Sequence, residues 1–265
     1  MMIDLTLAGQ AESQQRFYYL RNFEFALQWL ADRYDDLWID DEHAFLSAFS
    51  TLPLASRALL VRLLMRTGPL FRVSALGYDE IGSPTDAIRP LNALGWVDPD
   101  PALTIDELFR LHTLRELANI FPDAFGAAKL RKPELLETLR SQHLTARPYL
   151  SWWPGSDDQV VRVNVASLCD RLRLMFFGNL HQPWSEFVVS DLGIVRYENV
   201  PLQPSSRAFQ SRKDIESFMT IHACREFGAI VRQSAPACAA TLAAISIAAQ
   251  CSPSGTMPIA RPFFI

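Results

Sequence analysis

The chain has 265 residues, of which 49% are hydrophobic, and its net charge at neutral pH is −4. This hydrophobic fraction excludes wholesale disorder, and 11 Gly and 17 Pro exclude fibrous and low-complexity proteins. The net charge excludes a protein that is basic throughout. Any surface for nucleic acid must therefore be a local patch.

Neither the cysteines nor the apolar runs indicate secretion or a membrane. The four cysteines form no C-x-x-C pair, which argues against a disulfide framework and against a zinc site. The first 15 residues lack the basic and apolar regions of a signal peptide, and arginines interrupt the apolar runs before they reach membrane-spanning length. We expect a soluble, cytoplasmic protein with no membrane partner.

The first predicted element is a helix from Phe17 to Leu37. Its apolar residues recur at steps of three and four, which is typical of one wide buried face. The acidic stretch from Asp35 to Glu42 follows it. Because this stretch lacks the central glycine of a calcium loop, we interpret it as a solvated helix end with an N-cap.

Two more helices are predicted before residue 96. One runs from Leu54 to Arg66 and stops at Gly68-Pro69, and the next starts at Ser83, an N-cap residue followed by proline. A short strand at Trp96-Val97 comes after them. Helices closed by a small β element indicate a winged-helix-like unit.

Charge in this unit predicts phosphate contacts rather than base reading. The second helix offers only Asp86 and Arg89 to a base edge, so we expect no sequence-specific reader. Residues 43–78 contain no acid but four arginines, and we expect these to contact phosphates. They are Arg57, Arg62, Arg66 and Arg72.

The region after residue 100 predicts helices with a basic junction. A capping box of Thr104 and Glu107 opens an amphipathic helix that Phe121-Pro122 ends. Its expected inward residues are Leu108, Leu111, Leu114 and Leu117. Three cations, Lys129, Arg131 and Lys132, then precede a helix whose first residue is Pro133. Cations beside a helix N-terminus favour phosphate, and a solvated charged helix start is the alternative.

Several segments, in order, resemble a known family. FYYLRNFEFAL (17–27), LPLASRALLVRLLMRTGPLFRVSALGYDEI (52–81) and LNALGWV (91–97) are similar to the N-terminal region of Fanconi-associated nucleases, in particular the bacterial members. LTIDELFRLHTLRELANIF (103–121) and KLRKPELLETL (129–139) resemble the SAP-type DNA-binding helix pair of that family. LMFFGN (174–179), SDLGIVRYE (190–198) and RAFQSRKDIESF (207–218) resemble its chain near the helical repeats.

The resemblance implies a mainly α fold, with winged-helix-like and SAP-like DNA-binding parts that lead into the start of a helical-repeat region. The implied segments are an N-terminal helical region (1–50), a winged-helix-like unit (51–100), a SAP-like region (101–145), a helical linker with the start of repeats (146–226) and an atypical tail (227–265). It also implies DNA repair, including interstrand crosslink repair, with branched or 5′-flap DNA as partner and a nucleoid-associated location. Full-length members carry a C-terminal nuclease domain that uses Mg²⁺ or Mn²⁺.

The chain departs from the family where cleavage is concerned. The family's nuclease core needs a Glu-x-Lys element, but the residues two places before the three lysines are Ala127, Leu130 and Ser211. We therefore expect no catalytic, metal or cofactor residue in this chain and no cleavage by it alone. No acid follows Glu226, which suggests a tail read in a shifted frame, with a natural short variant as the alternative.

These observations predict the DNA-binding, substrate-positioning portion of a structure-specific repair nuclease of the 5′-flap endonuclease type, truncated before its catalytic domain. The alternative is a stand-alone, non-catalytic DNA-binding or scaffold protein. An unrelated helical enzyme is a weaker third hypothesis. Reading the genomic DNA past codon 226 in other frames would separate the first two.

Overall fold

A computed structural model describes residues 16–125, 130–186 and 207–234. The helices are α1 (Tyr18–Tyr34), α2 (Asp40–Thr51), α3 (Leu54–Leu64), α4 (Pro84–Ala93), α5 (Ile105–Leu111), α6 (Leu114–Ile120), α7 (Lys132–Arg140), α8 (Tyr149–Trp152), α9 (Ala166–Phe177) and α10 (Arg212–Ser234). The strands are β1 (Leu70–Arg72), β2 (Val97–Asp98), β3 (Ala102–Leu103), β4 (Arg147–Pro148) and β5 (Val160–Val163). The mainly helical fold class is confirmed.

The helices up to residue 98 form the first core. The predicted apolar face of α1 is buried, with Tyr19, Phe23 and Leu30 fully inaccessible to solvent. This face packs against α3, which packs in turn against α4, and α9 covers α1 from another side. The predicted N-cap of α4 is confirmed, because the Ser83 hydroxyl accepts a hydrogen bond from the Asp86 amide at 3.3 Å. A glycine with φ of +70°, Gly95, lies between α4 and β2.

A three-stranded antiparallel sheet, ordered β1-β5-β2, closes this core. Leu70 lies opposite Arg162, Arg72 lies opposite Val160, and Val97 lies opposite Val163. The strands β2 and β5 therefore pair as the two sides of a wing do. Residues 99–159 separate them in the chain, so the wing carries a second module between its two strands.

This inserted module is closed at its base by the strands β3 and β4. Ala102 pairs with Pro148 and Leu103 pairs with Arg147, which brings the start and the end of the insertion together. Inside it, α5 packs against α7. Its core is a separate apolar cluster: Leu103, Ile105, Leu108, Phe109, Leu117, Leu135, Leu139, Tyr149, Trp152 and Val160. The last of these residues belongs to β5.

The expectation of one continuous helix after Thr104 is wrong. The chain is extended at His112, with φ −116° and ψ 148°, and α6 starts a new helix one residue after the N-cap Thr113. A second capping box causes the break, since Glu116 accepts hydrogen bonds from the Thr113 amide at 2.7 Å and hydroxyl at 2.9 Å. As a result Leu114 is 37% exposed rather than inward-facing, and Leu111 is half-buried.

The interpretation of residues 35–42 as solvated is wrong at Glu42, whose side chain has no solvent exposure. Its carboxylate accepts from Arg171 Nε at 2.8 Å and from Arg212 Nη1 at 2.7 Å. Those arginines lie on α9 and α10, more than 120 residues along the chain. Glu42 thus joins α2, α9 and α10 at one buried point.

Candidate nucleic-acid interface

A basic feature lies in the inserted module, where two helix starts meet. Lys132, at the start of α7, donates from Nζ to the backbone carbonyl of His112 at 2.7 Å. His112 directly precedes the N-cap residue of α6, Thr113. The beginnings of α6 and α7 are therefore adjacent, and both present the positive end of a helix dipole.

Three exposed arginines belong to the same module. Arg131 is 84% exposed and, in the described part of the chain, pairs only with Glu134 of its own helix turn. Arg110, in the last turn of α5, and Arg115, in the first turn of α6, are exposed and form no ion pair within the described residues. An exposed pair such as Arg131–Glu134 contributes about 0–1 kcal/mol, so a phosphate can replace the carboxylate at little cost.

An anion at this surface would meet cations rather than free helix amides. Glu116 already accepts from the N-cap amide of α6, and Glu134 accepts from the N-cap amide of α7, that of Arg131, at 3.0 Å. In α7 the next residue but one is Pro133, which has no amide hydrogen. Phosphate contacts here therefore fall mainly to arginine and lysine side chains.

Three of the four predicted winged-helix arginines hold carboxylates of this chain. Arg57 pairs with Glu24 of α1, and Arg62 Nη2 lies 2.6 Å from Glu80 while its guanidinium stacks 3.9 Å from the Tyr19 ring centre. These contacts join elements of the winged-helix core. Their charge is offset inside the molecule, and the geometry favours a structural role for both arginines.

Arg66 and Arg72 differ from each other. Arg66 is exposed and has no carboxylate partner in the described part of the chain; it donates to the Ala75 carbonyl at 3.2 Å. Arg72 is half-buried and pairs with both Glu116 and Asp158. Of the four, Arg66 is therefore the best placed to contact a phosphate. The remaining predicted residue, Lys129, lies outside the described residues.

Comparison with known proteins identifies both modules. A family model described as "FAN1, HTH domain" matches residues 17–98, and one described as "Fanconi anemia-associated nuclease SAP domain" matches residues 102–152. The chain is also 49% identical, over 210 residues and 79% of its length, to the Fanconi-associated nuclease 1 homolog of Pseudomonas aeruginosa. The chain belongs to the Fanconi-associated nuclease family.

Other family members and solved structures agree with this assignment. The Fanconi-associated nuclease 1 homolog of Arabidopsis thaliana is 28% identical over 214 residues, 76% of this chain. A crystal structure of paFAN1 bound to 2nt 5′-flap DNA with a gap superimposes with a TM-score of 0.78 and 47% identity, over 81% of this chain and 39% of that chain. A second crystal structure, of paFAN1 bound to 1nt 5′-flap DNA with a gap, superimposes with a TM-score of 0.75 and 48% identity. It covers 79% of this chain and 39% of that chain.

This Fanconi-associated nuclease chain spans only part of its relatives. It covers 38% of the P. aeruginosa homolog and 24% of the Arabidopsis homolog. The nucleases of the family depend on a metal ion. Within residues 16–125, 130–186 and 207–234, no group of three or more His, Cys, Asp or Glu side chains could hold one. In the same ranges no helix is long and apolar enough to cross a membrane.

Sequence reasoning about the SAP domain predicted Arg131 and Lys132 as phosphate contacts and did not single out Arg110 and Arg115, which the structure shows exposed in the same module. The motif T-L-R-E at 113–116 was the available signal, since it repeats the capping-box pattern of residues 104–107. Recognising it moves Arg115 from the middle of a long helix to the first turn of a new one. There it lies beside the junction that Lys132 makes.

The SAP domain also buries a histidine without hydrogen-bond partners. The side chain of His112 has no solvent exposure, its ring lies parallel to that of Tyr149 at 5.5 Å, and neither ring nitrogen has a hydrogen-bond partner in the described part of the chain. Its Nδ1 is 3.7 Å from Glu116. Burial lowers the pKa of His112, and the charge of Arg72 lowers it further, whereas Glu116 and Asp158 oppose the change.

We expect His112→Phe to flatten the pH dependence of stability below pH 6.5. Because the folded pKa is lowered, the unfolded chain binds more protons as pH falls through about 6.5, and the native state loses stability. This loss cannot exceed about 1.4 kcal/mol per pH unit for one group. Urea unfolding at pH 7.5 and 5.5 measures it. A wild-type profile in His112→Phe would contradict the assignment of His112 as the group that causes this loss.

Proposed function

We propose that this chain binds branched DNA as the DNA-binding and substrate-positioning part of a structure-specific repair nuclease. The observation that carries the proposal is the junction of α6 and α7, where the Lys132–His112 hydrogen bond brings two helix starts together beside exposed Arg115 and Arg131. Such a surface is suited to phosphates, which supply most of the affinity of sequence-independent binding. This surface is expected both for a part of a longer nuclease and for a stand-alone DNA-binding protein, so it does not separate these two hypotheses.

Base reading is a poor alternative for the winged-helix module. Arg89, the only cation of α4, is already engaged with Asp86 of the same helix at 2.7 Å. That exposed pair can be exchanged at little cost, but a single bidentate contact to guanine reads one base and does not specify a sequence. We therefore propose binding that depends on DNA shape and charge rather than on sequence.

The 5′-flap substrate is supported by the similar paFAN1 structures, both of which hold 5′-flap DNA. We propose the same class of DNA for this chain, and Mg²⁺ or Mn²⁺ as the metal of the whole nuclease. The described residues do not supply a ligand set for that metal, so the role proposed for them is DNA binding without cleavage. A cytoplasmic, nucleoid-associated location stays a prediction.

The Arg115→Ala, Arg131→Ala double variant tests the DNA surface. Each lost phosphate contact reduces the slope of log K against log salt by about 0.9, so we expect a slope about two units shallower. Affinity for a labelled 5′-flap DNA should fall steeply in wild type between low and physiological salt. Fluorescence anisotropy over a salt series gives both quantities.

The matched control is Arg225→Ala, which removes one exposed arginine from α10. Its slope should equal that of wild type. If the double variant also keeps the wild-type slope, the α6–α7 junction is not the phosphate surface. If wild type shows no measurable affinity for the flap at low salt, DNA binding itself is wrong.

A further inference from the structure

Two arginine side chains extend from the same face of the three-stranded sheet β1-β5-β2, which we call the wing sheet. Arg72 is two residues after Leu70 on β1, and Arg162 on β5 lies directly opposite Leu70. Side chains two apart on a strand, and side chains opposite each other in a pair, share one face of a sheet. Leu70, Arg72 and Arg162 therefore all face the same way.

Each arginine reaches the cap of a different SAP helix. Arg72 Nη1 pairs with Glu116 Oε1, and Arg162 Nη2 lies 3.2 Å from Glu107 Oε1. Both glutamates occupy the N3 position of a capping box, and both use the other oxygen, Oε2, to accept from the N-cap amide, at 2.7 Å in α6 and 2.8 Å in α5. One carboxylate thus caps a helix and binds the neighbouring module at the same time.

Further contacts hold the arginines in place. Arg72 Nε donates to Asp158 at 2.7 Å, and Asp158 in turn accepts from the Ser74 amide at 2.9 Å and hydroxyl at 2.6 Å. Arg162 also donates to the Ala102 carbonyl at 2.9 Å. The hydrogen bonds to Glu116 outweigh its burial and bring its pKa to about 2, so this carboxylate stays charged at neutral pH.

The covalent connection between the modules leaves their orientation open. The SAP domain is joined to the wing by two short peptide stretches, which meet in the two-residue β3–β4 pairing. Beyond this pairing, α5 packs on β1, and Val160 of β5 enters the SAP core. Apolar contacts are not directional, whereas two ion pairs at separate points fix an angle.

We propose that Arg72 and Arg162 are positioning residues, which clamp the SAP domain to the wing sheet through the capping glutamates of α5 and α6. This inference rests on the proposed function, because the module so held carries the DNA surface. A fixed angle lets two parts of one protein engage a branched DNA together, and loss of that angle lowers the effective concentration of the second contact.

The Glu107→Gln, Glu116→Gln double variant isolates the clamp from the caps. Glutamine serves in a capping box as glutamate does, so both helices keep their caps. The side-chain amide then presents no charge to Arg72 and Arg162, and the ion pairs are lost. The matched control is Glu137→Gln, which makes the same change at an exposed residue of α7 that pairs with Arg140 of its own helix.

The direction in which DNA affinity changes in the double variant distinguishes a clamp from a phosphate contact. We expect the double variant to bind a 5′-flap DNA about tenfold more weakly, with an unchanged salt slope, because no phosphate ligand is lost. Were Arg72 and Arg162 phosphate ligands, removal of their competing carboxylates would instead strengthen binding. A gain in affinity, or a shallower slope, would overturn the proposal.

The clamp is also measurable without DNA. Spin labels at Asn92 of α4 and at the exposed Leu144 of the SAP domain, with Cys224, Cys238 and Cys251 replaced by Ser, report the distance between the modules. We expect one narrow distribution in wild type and in Glu137→Gln, and a broader one in the double variant. Equal widths in all three would refute the clamp. This readout judges the clamp even if the flap DNA does not bind.

Discussion

Replacing Glu42 by alanine should lower the free energy of unfolding by about 3–5 kcal/mol. The variant leaves Arg171 and Arg212 facing each other's charge at a point where Glu42 had no solvent exposure. Loss of one partner from a buried ionic group is costly because the remaining charges stay largely desolvated, and here only the exposed acids Asp41 and Glu216 still pair with the two arginines. Urea unfolding followed by circular dichroism measures the difference.

Asp41→Ala provides the matched comparison. Asp41 is the adjacent acid, pairs with the same Arg171 at 2.8 Å, and is 56% exposed. An exposed ion pair contributes about 0–1 kcal/mol, so this variant should be almost as stable as wild type. Equal losses for Glu42→Ala and Asp41→Ala would mean that burial does not set the value of the Glu42 contacts. A variant at Glu42 that unfolds at the wild-type urea concentration would contradict the prediction directly.

Local patterns predicted the helices well. The cap at Ser83, the capping box at Thr104 and the apolar spacing of α1 each lie within one segment of chain, and each was confirmed. Such signals depend on neighbours three or four residues apart, which a single sequence displays. The helix break at His112-Thr113, which was not predicted, also has a local signal, namely the second capping box of Thr113 and Glu116.

Contacts between distant segments could not be predicted in this way. β1 pairs with β5 across about 90 residues, Arg72 meets Asp158, and Glu42 meets Arg171 and Arg212. Nothing in the spacing of a single sequence states which acid lies near which arginine. Sequence alone therefore indicates only a solvated acid at Glu42.

Because contacts between distant segments are not visible in the sequence, the two parts of the predicted DNA surface have different outcomes. A local excess of positive charge predicted phosphate contacts at residues 57–72, but the acids that pair with three of these arginines come from other elements: Glu24, Glu80, Glu116 and Asp158. A cluster that is basic in sequence is thus partly neutral in space. The SAP junction differs, because the acid that Arg131 meets belongs to its own turn.

Trp152→Ala should destabilise the SAP domain by about 3–5 kcal/mol and remove flap binding. The indole is buried in the second apolar core, and its Nε1 donates to the Leu103 carbonyl at 3.1 Å. The guanidinium of Arg147, the partner of Leu103 in the β3–β4 pair, lies 4.7 Å from the ring centre. Truncation therefore leaves a large cavity and an unpaired carbonyl beside the strands that close the module.

Hydrogen exchange shows which part of the protein loses stability in the Trp152→Ala variant. Because the SAP core is an apolar cluster separate from that of the winged-helix module, amide protection should fall in residues 102–152 and persist in α3 and α4. Trp152→Phe keeps an aromatic ring but not the donor, so its loss should be only about 1–2 kcal/mol. Leu150→Ala, at a 51% exposed neighbour, should stay within about 0.5 kcal/mol of wild type. If protection instead collapsed equally in both modules, the wing and its insertion would fold as one cooperative unit, and the two ion pairs would join parts that never separate.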